Sequence, residues 1–174
     1  GSEMCIRDRQ GAWRGLSDAA VGEKRRTSSS SGEVRAFSRG YEFSNQGFLQ
    51  PPPSPRWKEL ALGEGRLRVE ENLPVALAQK RGVSVAVLGL AIDSEEGISD
   101  SDLIADRIAD LILSGNSLEA IDEYVLWLGG RFVLIAGCED RWRIHVDAMA
   151  SRSCYWTVRN KQLFAASHLS LIHI

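Results

Sequence analysis

Residues 83–92 read Val-Ser-Val-Ala-Val-Leu-Gly-Leu-Ala-Ile and are apolar at nearly every position. A strand with one face in solvent alternates apolar and polar side chains, whereas a strand covered on both faces does not. The stretch therefore predicts a central β-strand with other layers of the fold on each side. Residues 132–136 predict a second strand of this kind, and residues 142–146, apolar on one face only, predict its hairpin partner across Glu139-Asp140.

Two further hairpins flank this pair in the sequence. Residues 57–62 and 66–70 alternate apolar and polar side chains around Gly63-Glu64-Gly65, which predicts a hairpin with a short glycine-containing loop. Residues 154–158 and 162–166 predict another at the C-terminal end. The inward-facing residues of the first hairpin are predicted to be Leu60, Leu62, Leu67 and Val69.

Two amphipathic helices are predicted between the central strands. The first extends from about Asp100 to Leu113, with Ser99 or Ser101 as its N-cap. The second begins at Ser117 and ends at Gly129-Gly130. The order is therefore β-rich, then two helices, then β-rich, without βαβ alternation. This order predicts an α+β fold of layered antiparallel sheets with two adjacent amphipathic helices.

Composition excludes several classes of protein. The 174 residues are 44% hydrophobic and 25% charged, which is typical of a globular domain rather than a disordered or fibrous chain. Residues 41–174 carry 13 basic and 18 acidic side chains, so no basic surface for nucleic acid is expected. No apolar run approaches the ~20 residues that a membrane-spanning helix needs. Three widely spaced cysteines favour a reducing compartment, and we predict a cytoplasmic location.

The two ends of the chain are predicted to differ from its middle. Residues 1–40 have no apolar periodicity and contain the polar tract of residues 27–32, which predicts a disordered tail. Residues 2–9 and 170–174 resemble translated sequencing adapters, so part of the tail is expected to be artefactual. The domain itself is assigned to residues 41–174 and is expected to be truncated at its C-terminal end.

The residues that most often carry chemistry have structural explanations in this sequence. Cys138 and Cys154 lie in or beside predicted strands, where a free cysteine is usually a core residue. His145, His168 and Cys154 lack the close ligand pairs of a zinc site, so no metal is predicted. The sequence contains neither the G-x-x-x-x-G-K-[ST] nor the G-x-G-x-x-G phosphate-binding pattern.

Residues 128–168 carry a more specific pattern. Leu128-Gly129-Gly130-Arg131-Phe132 is followed by Asp147, Arg152 and Tyr155 in the segment 147–156, and then by Phe164-Ala165-Ala166-Ser167. The order resembles L-x-G-x-F, D-R-x-G-x-[RK]-P-L-Y-Y and F-A-S-E at the end of the glutaminase domain of asparagine synthetases. Over roughly residues 57–172, the chain thus resembles a class II glutamine amidotransferase domain with the Ntn-hydrolase fold.

The resemblance also implies where the glutaminase chemistry would lie. The family nucleophile is an N-terminal cysteine in a Met-Cys-Gly-Ile start, which Met4-Cys5-Ile6 imitates without the glycine and with three residues before it. The family segment N-G-E-x-Y-N falls on residues 88–93, where Leu88 cannot donate to an oxyanion. No catalytic residue is therefore assigned. Gly89 and Asp102 are interpreted as vestigial substrate-binding residues, and Asp147, Arg152 and Tyr155 as a structural or domain-interface turn.

We therefore expect a glutaminase-dead N-terminal domain of an asparagine synthetase-like, ATP-dependent amide-forming enzyme. Its expected partner is a C-terminal synthetase domain, to which the resemblance assigns ATP and Mg²⁺, since this chain contains no S-G-G-x-D-S loop. No cofactor is expected in this chain, and the formation of a homo-oligomer stays open. The alternative is a small α+β binding or assembly module in which the turn at residues 147–155 is only structural.

Overall fold

The structure, a computed structural model, describes residues 37–48 and 50–172, all of which belong to one compact unit, residues 34–174. The described residues form nine β-strands, two α-helices and two short 3₁₀ segments. The 3₁₀ segments are Leu118–Ile121 and Leu169–Leu171. The strands and helices are β1 (Tyr41–Ser44), β2 (Trp57–Leu62), β3 (Gly65–Glu70), β4 (Val75–Lys80), β5 (Val83–Asp93), α1 (Ser101–Gly115), α2 (Asp122–Val125), β6 (Leu128–Cys138), β7 (Arg141–Val146), β8 (Tyr155–Arg159) and β9 (Gln162–Ala166).

The strands form two antiparallel sheets. The first sheet has the order β2-β3-β1-β9-β8, and the second has the order β4-β5-β6-β7. Every strand pairing is antiparallel, and the longest joins β5 to β6 from Val83↔Cys138 to Asp93↔Leu128. The molecule is thus a mixed α+β protein with two antiparallel sheets, as the element order predicted.

Two hydrophobic clusters define three layers. One cluster joins inward side chains of both sheets, so the sheets face each other. The other joins the second sheet to α1 and the segment 118–124, so the helices cover the outer face of that sheet. Alternate residues of β5 enter the two clusters: Val85 and Val87 face the helices, whereas Ala86 and Leu88 face the first sheet. The prediction of a strand covered on both faces is confirmed.

The three predicted hairpins are confirmed. β2 and β3 pair from Trp57↔Glu70 to Leu62↔Gly65, β6 pairs with β7, and β8 pairs with β9. Leu62, Leu67 and Val69 are buried, and Leu60 packs against the same cluster. Strand β4 was not predicted, because residues 75–80 lie between two turns and show only a short apolar alternation.

The first helix is confirmed with one correction at its start. Asp100, rather than Ser99 or Ser101, is the N-cap, and its carboxylate accepts the backbone N–H groups of Asp102 and Leu103. A carboxylate both accepts these hydrogen bonds and interacts favourably with the positive end of the helix dipole. At the other end, Asn116 has a left-handed conformation and donates its N–H to Ile112.

The second predicted helix is wrong in its extent. Ser117 is the N-cap as predicted, but only the 3₁₀ segment 118–121 and α2 follow it. Leu128, expected on the helix, belongs to β6 and pairs with Asp93. Because the β5–β6 pairing extends to this residue, the segment after Asp122 has room for only one helical turn. Gly129-Gly130 therefore lies inside the strand and does not end a helix.

Residues 1–36 of the predicted tail, including Cys5, lie outside the described residues. The tail boundary at residue 40 falls within them: Phe37–Arg39 form a turn, and the N–H of Arg39 donates to the Glu70 carboxylate at 3.0 Å. The sequence predicted that the domain begins at Tyr41, and the structure describes the chain from Phe37, four residues earlier. Within the described residues, no helix has the length and apolar character needed to cross a membrane.

Candidate functional site

A tight turn follows β7 and is organised by Asp147. Its carboxylate is 3% exposed and accepts hydrogen bonds from the N–H groups of Met149 and Ser151 at 3.2 and 3.0 Å and from the Ser151 hydroxyl at 2.9 Å. Burial acts to raise the pKa of Asp147, but these donors outweigh it and the pKa is lowered. Ala150, where the family pattern has glycine, keeps the left-handed φ of +47°. The turn is therefore held by a charged carboxylate.

The turn directs the Arg152 side chain against Gly89 of β5. Gly89 has a φ of +103°, and a Cβ atom built there would overlap the carbonyl oxygen of Arg131 and lie 3.0 Å from Nε of Arg152. Only glycine fits this backbone conformation and this close approach. The N–H of Gly89 donates to the carbonyl of Pro74 at 2.8 Å, so it is already used inside the protein.

The start of β1 lies at the same place. Nη1 of Arg152 is 3.4 Å from the carbonyl oxygen of Arg39, a residue 113 positions away in the sequence. Tyr41, the first residue of β1, is fully buried and donates its hydroxyl hydrogen to the carbonyl of Ser153 at 3.0 Å. The segments 39–41 and 151–153 therefore meet beside Gly89.

Positive charge concentrates at this meeting point. Arg131, directly opposite Leu90 on the neighbouring strand, donates from Nε to the carbonyl of Ser151 at 3.2 Å. Burial lowers the pKa of Arg152, and the guanidinium groups of Arg131 and Arg39 lower it further. We call Arg39, Arg131 and Arg152 with Gly89 the arginine corner.

Cys154, the one thiol that the described residues place near the arginine corner, is not activated. Burial raises the pKa of Cys154, and its contact with the Tyr41 hydroxyl only partly offsets this effect. The thiolate is the reactive form of cysteine, so a raised pKa makes Cys154 a poor nucleophile. Burial also raises the pKa of Tyr41, so its hydroxyl stays protonated. The corner offers positive charge and hydrogen-bond donors rather than a nucleophile paired with a base.

The residues singled out in the sequence are distributed over two places. Gly89, Asp147 and Arg152 belong to the arginine corner or to the turn that supports it, and Tyr155 follows at the start of β8, where it is largely exposed. Asp102 lies elsewhere, on the exposed face of the first turn of α1, and its carboxylate makes no hydrogen bond to another described residue.

Sequence reasoning missed Arg39 and Arg131. A signal for Arg39 was present, since Arg39 and Gly40 lead directly into the first strand. It was missed because residues 1–40 were assigned to the tail. No signal pointed to Arg131, an exposed arginine on a predicted strand.

A second polar centre lies at the far end of β5. The Asp93 carboxylate is fully buried and accepts from the Tyr124 hydroxyl at 2.7 Å and from the N–H groups of Glu95 and Glu96. Arg107 contacts both Asp93 and Glu96. Burial acts to raise the pKa of Asp93, yet the donors and Arg107 lower it. With every member engaged, this centre fastens the loop after β5 to the helices.

His145, the predicted polar-face histidine of β7, lies near a carboxylate of α2. Nε2 of His145 is 3.6 Å from Oδ1 of Asp122. The other carboxylate oxygen of Asp122 accepts a hydrogen bond from Arg143 at 2.7 Å. Burial lowers the pKa of His145 and favours the neutral ring. Among the described residues, no three His, Cys, Asp or Glu side chains come close enough together to hold a metal ion.

A cavity of about 370 Å³ lies on the outer face of the first sheet, on the side away from the second sheet. At its wall, the guanidinium of Arg68 lies 4.0 Å from the ring centre of Phe48 and forms a hydrogen bond of 2.9 Å to Glu59. The volume lies within the range of small-molecule pockets. The aromatic and apolar lining includes Phe37, Phe48, Pro51, Phe164 and Leu171.

Comparison with known proteins identifies no family. No model of a protein family matches the chain, and no curated protein matches it.

Proposed function

We propose that residues 41–174 form a class II glutamine amidotransferase-type domain of the Ntn-hydrolase fold, from an asparagine synthetase-like enzyme, that no longer hydrolyses glutamine. Its role is that of a structural partner to a synthetase domain that forms an amide bond. No residue of this chain is assigned to ATP or Mg²⁺, because the sequence contains no S-G-G-x-D-S loop.

The meeting of three separate segments beside Gly89 carries this proposal. The family resemblance implies that the start of the first strand and the glycine of the oxyanion segment serve one site, and that the turn from Asp147 to Tyr155 has a structural or domain-interface role. Here the Arg152 guanidinium of that turn lies against Gly89 and hydrogen-bonds the carbonyl of Arg39, just before β1. Two facing antiparallel sheets with helices on one outer face also suit this fold class.

The same place lacks the requirements of glutamine hydrolysis. Arg39 and Gly40 directly precede Tyr41, the first residue of β1, so no cysteine lies at the start of that strand. Leu88 is fully buried between the sheets and has no side-chain donor, while the N–H of Gly89 is bound to Pro74. Neither donor is left for a developing oxyanion, and loss of a single such donor costs about 10²–10³ in rate.

The proposal predicts that the purified chain releases no ammonia from glutamine. The measurement compares ammonia release by the parent chain with release by a heat-inactivated sample and by Cys5→Ala, Cys138→Ala and Cys154→Ala. Release above the heat-inactivated control that disappears in one of the three variants would assign a working nucleophile and contradict the proposal. Release that is equal in all four proteins would be traced to a contaminant by further purification.

One observation favours the alternative of a binding module. The cavity on the outer face of the first sheet is mostly apolar, and Arg68 at its wall is neutralised by Glu59 and Glu42. It would therefore suit a neutral, aromatic small molecule. Ligand-detected NMR with neutral aromatic fragments tests this alternative. Binding that Phe164→Ala abolishes would favour it, and the absence of binding would remove it.

A further inference from the structure

The arginine corner gathers three positive charges from distant parts of the chain. Arg39 precedes β1, Arg131 lies on β6, and Arg152 follows the turn organised by Asp147. Hydrogen bonds to backbone carbonyls hold two of the three guanidinium groups in place: that of Arg152 donates to Arg39 at 3.4 Å, and that of Arg131 donates to Ser151 at 3.2 Å. Like charges brought together repel, so this arrangement costs free energy unless an anion offsets it.

The described carboxylates near the corner offset this charge only in part. None of the three guanidinium groups lies within ion-pair distance of a described carboxylate. The acid next in sequence, Asp147, uses both carboxylate oxygens for the N–H groups and hydroxyl of its own turn. With Asp147 and Glu70 counted against them, the latter because its carboxylate accepts the backbone N–H of Arg39, the three arginines leave one net positive charge.

Arg152 also has a donor without a partner. Its Nε–H group is buried against Gly89 and makes no hydrogen bond to any described residue. Buried donors are almost always satisfied, and an unsatisfied one in a native structure is commonly explained by a bound ion or water. Arg39 and Arg131 are exposed, so solvent and solutes reach the corner from their side.

We propose that the arginine corner is a binding site for an oxyanion, of the carboxylate or phosphate class, held by Arg39, Arg131 and Arg152. Guanidinium groups match both anions because their N–H donors form paired, charge-assisted hydrogen bonds to two oxygens. The proposal does not depend on the proposed function, since it rests on the charge and geometry of the corner alone. No bond is made or broken on binding.

The test is a titration of the purified full chain with two probes, inorganic phosphate and L-glutamate, at constant ionic strength. Isothermal calorimetry gives the affinity, and the ¹H–¹⁵N signal of the Arg152 Nε–H group reports the location. We expect saturable binding that shifts this signal and weakens about tenfold in Arg131→Gln and in Arg39→Gln, the loss expected for one charge-assisted hydrogen bond. The tighter-binding probe identifies the class of anion.

Arg159→Gln is the matched control, because it removes the same charge from an exposed position at the far end of β8. It should bind as the parent does. No saturable binding of either probe, or equal weakening in Arg159→Gln and Arg131→Gln, would overturn the proposal. Arg39 and Arg131 are exposed, so their variants are expected to fold, and circular dichroism of each checks this. The ammonia assay is independent, so failure of either proposal is recognised separately.

Discussion

Gly89 shows how one residue without a side chain organises a whole corner of the molecule. Its positive φ and its contact with the Arg131 carbonyl and the Arg152 guanidinium leave no space for a Cβ atom. The family resemblance pointed to this glycine and implied that it is a vestigial substrate-binding residue. The geometry gives a second reason for glycine, one that holds without any substrate.

We predict that Gly89→Ala destabilises the protein more than Gly82→Ala does. Both glycines have positive φ values, +103° and +82°, so alanine is strained at either by about 1–3 kcal/mol. A Cβ at Gly82 meets nothing within 4 Å, whereas a Cβ at Gly89 overlaps a backbone carbonyl. Urea unfolding of both variants measures the difference. Equal losses would mean that the close packing at Gly89 is absent in solution.

His145 should make stability depend on pH. Burial lowers its pKa in the folded state below the value in the unfolded chain, so the unfolded chain binds the proton more strongly. The free energy of unfolding should therefore fall as the pH decreases through about 6.5, the ordinary value for histidine. Nearby Asp122 opposes this effect and Arg143 adds to it.

Replacing His145 by Gln should remove this part of the pH dependence. Urea unfolding at several pH values between 8 and 5 compares the variant with the parent. The difference in the free energy of unfolding between parent and variant at pH 8 serves as the reference. As the pH is lowered, the free energy of unfolding of the variant should fall less than that of the parent. Parallel curves over the whole range would show that His145 titrates normally.

At the scale of elements, the turn after β7 is a self-contained unit built on Asp147. Three hydrogen bonds to one buried carboxylate close the turn, and this closure sets the direction of Arg152. The sequence pattern Asp-x-x-x-Ser-Arg was visible in advance. The contact with Gly89 was not, because it joins strands far apart in the sequence.

Asp147→Ala should lower the free energy of unfolding by about 1–3 kcal/mol, because it removes the buried carboxylate that accepts three hydrogen bonds within the turn. Arg152→Ala should cost less, since burial already disfavours its charged form. The matched control is Asp140→Ala, an exposed acid of the β6–β7 turn, which should change stability by no more than about 0.5 kcal/mol. The measurement is urea unfolding with equal m-values. If Asp147→Ala behaves like Asp140→Ala, the turn is a solvated loop.

Predictability from sequence differed between strands and helices for a physical reason. The central strands are short runs with apolar side chains on both faces, which is the pattern of a strand covered on each side, so β5 and β6 were predicted. Leu118, Ile121 and Val125 have the spacing of a helix. Leu128, however, pairs with β5 as the first residue of β6, so the helix ends before it. The spacing of apolar residues in one segment carries no information about a strand partner such as Asp93, which lies 35 residues away in the sequence.

At the scale of the whole molecule, the layers explain why the arginine corner lies where it does. β5 is longer than its neighbour β4, and beyond Gly89 it pairs with β6 alone. The arginine corner lies where β5 and β6 begin to extend beyond the other strands of the second sheet, and the start of β1 in the first sheet is next to it. Sequence reasoning reached Gly89 and Arg152 separately, through a resemblance, but their contact follows only from the packing of the two sheets.

The central claim is that this domain serves an asparagine synthetase-like enzyme, and the coding sequence of the gene tests it most directly. Genomic DNA is sequenced from the codons of β9 onward to the first stop codon in frame. The account predicts that the frame continues into a segment that encodes an S-G-G-x-D-S loop. A frame that closes without such a loop, or that continues into an unrelated domain, would contradict the claim.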